Sequence, residues 1–122
     1  MEISPQMGSS VLEEDVLNRL TSKERQAVEQ FLLKLRGECA ARVKDVRIFG
    51  SKLRGDFRQD SDIDLLVLIE GLDAGEWGRI TDMAYSASPW IDARVSDWDA
   101  YHAPASRSTG FYKEMRRESV HL

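Results

Sequence analysis

The sequence predicts an α/β (α+β) domain, a small mixed sheet of three or more strands flanked by helices, and three observations predict it. Residues 65–69 form an unbroken apolar run, Leu-Leu-Val-Leu-Ile, which suits a central strand buried on both faces. Val28, Phe31, Leu32, Leu35 and Cys39 recur at the spacing of one helix face, the stripe of an amphipathic helix that must pack on something. A second helical pattern lies between the apolar run and another strand-like segment at residues 90–95.

Composition narrows the possibilities. The 122 residues suit one domain with a modest core. A formal net charge of −4 argues against nucleic acid as the main partner, since that role needs a basic face. Cys39 is the only cysteine, so an internal disulfide is impossible and a metal–thiolate cluster is not expected. The first residues lack the basic and apolar regions of a signal peptide. The longest apolar run is too short to span a bilayer. A cytoplasmic protein with no membrane partner is expected.

Taken in order, residues 1–10 read as a flexible N-terminus and residues 11–122 as a single domain. Ser10-x-x-Glu13 fits a capping box, and Leu12, Val16 and Leu20 follow at helical spacing. Thr21-x-x-Glu24 is a second capping box, opening the helix that carries the stripe from Val28 to Cys39. Gly37 either weakens its last turn or lies where a neighbour packs closely. Cys39 falls on the buried stripe and reads as core. A first strand runs from Val43 to Phe49 and a second from Ile63 to Ile69, ended by Glu70-Gly71. Asp73 caps a helix in which Trp77, Ile80, Ala84 and Ala87 share a face, and Pro89 stops it. The third strand covers residues 90–95. Ser96-Asp97-Trp98-Asp99 reads as a turn and residues 98–108 as irregular. Phe111, Tyr112 and Met115 mark a last short helix with Lys113, Arg116 and Arg117 on its polar side. His102 and His121 have no neighbours at metal-ligand spacing and read as incidental.

The chemistry concentrates between Phe49 and Val67. Gly50 after a strand lets the backbone approach a ligand closely or take a positive φ. Ser51 is a good N-cap, and a helix N-terminus binds phosphate; Lys52, Arg54 and Arg58 add positive charge. No Gly-Lys-Ser/Thr follows, so this is not a Walker A loop. On the next strand Asp62 and Asp64 lie two apart and share a face, while Ile63 turns into the core. Two carboxylates so placed repel each other unless a cation sits between them or one is protonated. Asp92 alternates with Ile91, Ala93 and Val95 and so faces away from them. Three carboxylates from neighbouring strands make a hard oxygen-rich site suited to Mg²⁺ or Mn²⁺. The bland alternatives are an ordinary turn, solvated strand-end aspartates, and an Asp92 paired with Arg94 or another cation.

Gly50-Ser51, Arg54-Gly55 and Ser61-Asp62-Ile63-Asp64-Leu65 together resemble the signature of the DNA polymerase β-like nucleotidyltransferases. Within that superfamily the chain most resembles the minimal nucleotidyltransferases, the MntA-like antitoxins of HEPN/MNT toxin–antitoxin pairs. The resemblance implies a polymerase β-like fold and a third acidic residue on the strand after the helix, which Asp92 matches. It implies metal binding by Asp62, Asp64 and Asp92, which would hold two Mg²⁺ ions, and triphosphate binding by Gly50, Ser51 and Arg54. It also implies AMP transfer from ATP to a tyrosine of a HEPN-type toxin, the partner supplying much of the acceptor pocket. Two other functions remain open on sequence: a module that neutralises a partner by docking, with weak or no catalysis, and nucleotidyl transfer to a small molecule or an RNA end.

Overall fold

A computed structural model describes residues 20–50 and 62–122. Helix α1 (Ser22–Cys39) starts where the sequence places it: the Thr21 hydroxyl accepts from the Glu24 amide at 3.1 Å, and the Glu24 carboxylate accepts from the Thr21 amide at 2.9 Å. Val28, Phe31, Leu35 and Cys39 are buried and Leu32 is half-buried. Phe31 and Leu35 are wholly enclosed, each contributing about 2–3 kcal/mol of apolar burial. Gly37 is exposed, with nothing near enough to meet an added side chain. A short 3₁₀ turn (Ala40–Arg42) leads into strand β1 (Val43–Phe49).

Strand β2 (Ile63–Ile69) is buried along almost its whole length, as its apolar run requires, because it is flanked on both sides. The sheet order is β3-β2-β1-β4, where β3 spans Ile91–Asp97 and β4 spans Val120–His121. Strand β1 runs antiparallel to β2 and to β4, whereas β2 and β3 are parallel. The parallel pair is joined by helix α2 (Ala74–Ala87), opened by Asp73 and Glu76 in a second capping box.

One face of the sheet, carrying Val46, Ile48, Ile63, Leu65, Val67, Ile69 and Ile91, packs against α1 and α2 in the main core. The other face carries Leu66 and Leu68, covered with Phe49 by a smaller aromatic core. Two helices build that cover, α3 (Trp98–Tyr101) and α5 (Gly110–Glu118), with a short helix α4 (Pro104–Arg107) between them in the chain. Tyr101, Tyr112 and Met115 are its buried side chains.

Several expectations change in detail. The third strand extends to Asp97 instead of ending at Val95, and Asp97 is no turn residue: its carboxylate caps α3 by accepting from the Ala100 amide at 3.0 Å. Residues 98–108, read as irregular, hold two single-turn helices. Their four residues each are too few to show a periodic stripe. Trp77 is exposed, and Glu76 and Met83 take buried places on α2. His121 is not a loose tail residue; it lies in β4 and its Nδ1 is 2.7 Å from an Asp45 carboxylate oxygen. No helix among the described residues is long and apolar enough to cross a membrane.

Candidate nucleotide site

The sheet register assembles the site from three strands. Phe49 is paired with Asp64 across β1 and β2, and Asp64 with Asp92 across β2 and β3. Cross-strand partners share a face, so Phe49, Asp64 and Asp92 form one row on the same side as Leu66 and Leu68. Asp62 precedes Asp64 by two residues and so points to the same side. The Ile63 amide donates to the Trp90 carbonyl at 2.8 Å, which starts the parallel ladder and fixes Asp62 beside the entry to β3. Ile63 is fully buried, as the alternation requires.

Gly50 continues the row beyond Phe49. Its φ is +81°, a conformation that favours glycine. A Cβ added there would lie 2.2 Å from Oδ2 of Asp64. The glycine is thus needed twice, for its backbone angle and for the space the Asp64 carboxylate occupies. Asp64 is half-buried, while Asp62 and Asp92 are exposed.

Among the described residues no ion pair involves Asp62 or Asp92. The pairing of Asp92 with Arg94 is therefore replaced by another arrangement. The Arg94 guanidinium lies over two rings, 5.9 Å from the centroid of Phe49 and 5.6 Å from that of Phe111. Those rings meet edge to face, with centroids 6.3 Å apart. Arg94 shares the parity of Asp92 on β3, and that parity is the sequence signal that marks it as a site neighbour. Phe111 carries no such signal, since its place depends on how α5 folds back over the sheet.

A hard divalent cation suits this donor set by chemistry, since every acidic oxygen here is a carboxylate and no thiol or imidazole stands in the row. Among the described residues no group of three acidic, histidine or cysteine side chains is placed so that it could hold a metal ion, so Asp62, Asp64 and Asp92 share a face without converging as the expected three-carboxylate cluster. The row is open, with its carboxylates in register. Ser51 and Arg54, the other expected phosphate-binding residues, lie outside the described residues, as does the predicted helix of Leu12 and Val16.

Comparison with known proteins agrees with this geometry. The family model for the nucleotidyltransferase domain matches residues 25–84, a stretch that contains Gly50, Asp62 and Asp64 but stops short of Asp92. A Methanocaldococcus jannaschii protein described as a candidate protein adenylyltransferase is 38% identical over 45 residues, covering 37% of this chain and 45% of that protein. The match therefore spans less than half of that relative. A chain from a toxin–antitoxin crystal structure with AMP-PNP superposes with a TM-score of 0.54 at 22% identity, covering 76% of this chain and 70% of that one. A mutant of the MntA–HpeT toxin–antitoxin gives a TM-score of 0.50 at 24% identity, covering 77% and 70%. At these identities the two structures speak for the fold.

Proposed function

We propose that this chain, whose residues 25–84 match the nucleotidyltransferase domain model, transfers AMP from ATP to a hydroxyl of a partner protein and releases pyrophosphate. The observation that carries the reading is the row from Gly50 through Asp64 to Asp92, where a glycine with positive φ abuts one carboxylate and a second strand brings another alongside. A glycine backbone open to a phosphate, next to carboxylates suited to hard cations, is what a metal–triphosphate complex fits.

Asp62, Asp64 and Asp92 would hold two divalent ions, Mg²⁺ or Mn²⁺, one arriving with the triphosphate. Bound there, the ions supply neutralisation of the charge on the entering and leaving oxygens. The remaining work is this chain's own. Gly50 lets the backbone approach the β- and γ-phosphates, and Ser51 and Arg54, which follow it in sequence, would bind them. Asp92, the more exposed of the register pair, would accept the proton of the attacking hydroxyl. The buried sheet beneath holds these groups in fixed register, so positioning provides much of the rate.

The acceptor we assign is a tyrosine of a HEPN-type toxin, which makes the chain an antitoxin acting in the cytoplasm. The curated relative's description as a protein adenylyltransferase and the toxin–antitoxin neighbours, one with AMP-PNP, support a protein acceptor and an adenine nucleotide. We take residues 11–122 as the catalytic unit. The test is label transfer from α-³²P-ATP with Mg²⁺ to a co-expressed HEPN-type toxin. Label on a toxin tyrosine, lost with EDTA, is the expected result. A stable complex that never acquires label would replace the enzyme with a docking module, and label on RNA or a small molecule without protein would replace the acceptor.

A further inference from the structure

Among the described residues beside the acidic row, Arg94 is a side chain whose position has no use in the account above. Its Cα lies on β3 opposite Leu66 of β2, yet its guanidinium reaches the ring of Phe49 on β1. Neighbouring strands are about 4.8 Å apart, so β1 and β3 are separated by roughly 10 Å with β2 between them. The side chain therefore leans from β3 toward β1 on the face that carries Asp64. Phe111 from α5 meets Phe49 edge to face, and the guanidinium sits beside both rings. No hydrogen bond or ion pair among the described residues uses its N–H groups.

We propose that Arg94 binds the β- and γ-phosphates of the nucleotide, completing from β3 the seat begun by the Gly50 turn. The inference rests on the nucleotidyltransferase reading. The two rings hold the guanidinium by van der Waals and cation–π contact, which needs none of its N–H donors. Those donors form a planar fork that matches two phosphate oxygens at once. Asp62, Asp64 and Asp92 repel any anion that approaches without its cations, so a fixed positive group on the same face supplies attraction where the triphosphate projects beyond the bound ions. Its reach toward Phe49, the neighbour of Gly50, places that charge on the phosphate side of the row.

The test is calorimetric titration with the α,β-methylene analogue of ATP plus Mg²⁺, and separately with AMP, on wild type, Arg94→Gln and Arg94→Lys. The analogue should bind Arg94→Gln about tenfold or more weakly than wild type, with Arg94→Lys between them, as expected for loss of a charge-assisted bidentate contact. AMP should bind all three alike. Phe111→Leu, which removes one ring and keeps the arginine, should weaken the analogue by a smaller factor; it also decides the matter if Arg94→Gln does not fold. Equal analogue affinity in wild type and Arg94→Gln, or equal loss for the analogue and AMP, overturns the assignment. A wild type that binds no analogue sinks the nucleotidyltransferase reading itself, a different result from a wild type that binds and a variant that binds equally well.

Discussion

The two ends of the sheet treat their carboxylates in opposite ways. At the end where β2 and β3 finish, acids are neutralised by the protein. Glu76 is 5% exposed and meets Arg42 through two oxygens, each 2.5 Å from a guanidinium nitrogen. The same Arg42 donates to the carbonyls of Glu70 and Gly71. Asp97 accepts from the amides of Ala100 and Leu72. Bonds from Arg42, above all, hold the Glu76 carboxyl down to about 2, and the Ala100 and Leu72 amides hold that of Asp97 below its ordinary range. At the other end Asp62 and Asp92 face solvent on the same side as Asp64, with no cation among the described residues to pair with Asp62 or Asp92. Acids that the chain has already satisfied serve stability. Asp62 and Asp92, left to solvent, have no such use in the fold among the described residues, which fits the proposed role in binding a cation-bearing ligand.

The comparison breaks if both ends respond alike to mutation. Asp64→Asn should reduce AMP transfer about a thousandfold or more, the scale of several kcal/mol of lost charge stabilisation, while the circular dichroism spectrum stays native. Initial rates at saturating Mg²⁺ and ATP check this; near-normal turnover would remove Asp64 from the chemistry. Glu76→Ala should do the reverse. Removing Glu76 leaves Arg42 to solvent and to the Glu70 and Gly71 carbonyls and takes away the buried half of the pair, so stability should fall. Urea unfolding should show that loss, while transfer per folded molecule is unchanged. Gly50→Ala falls between the two. Forcing a Cβ onto a φ of +81° costs about 1–3 kcal/mol, and displacing the Asp64 carboxylate should lower transfer as well. Stability lost with transfer intact would mean that the close approach to Asp64 serves folding alone.

The sequence is most informative where one local rule decides the outcome. Strand β2 was legible because a seven-residue span with five consecutive apolar side chains has few other homes, and its bounds are those expected. The Thr21–Glu24 capping box and the Asp73 cap were legible because the residues that make them are close in the chain, although Glu76 completing a box with Asp73 was not expected. The acidic row follows from alternation alone, once β2 and β3 are neighbours. The rest depends on long-range contact. The Arg42–Glu76 pair joins residues 34 apart in the chain, and the helix face that buries Glu76 and exposes Trp77 was misjudged because hydrophobicity ranked the two residues the wrong way round. The Phe111 position needs α5 to return over the sheet, and His121 joins a strand only because Asp45 and the Val46 carbonyl receive it and the next residue. No local pattern encodes these.

The smallest effect is also the one that separates the two ends by pH alone. Glu76 titrates near 4.5 when unfolded and at about 2 when folded. A carboxyl whose pKa is depressed by folding binds fewer protons in the native state, so it contributes stability above its unfolded value and loses that contribution as pH falls. The Glu76 share should be fully present above about pH 5, begin to decline near 4.5, and be gone near 2. Asp97 shifts in the same direction and adds to the slope. Thermal melts of wild type and Glu76→Gln, taken at steps from pH 6 to pH 2.5, should therefore converge as the pH drops, with the variant showing the flatter curve. Curves that stay parallel across that range would mean that Glu76 keeps its proton affinity on folding, and that the protein neutralises neither end of the sheet.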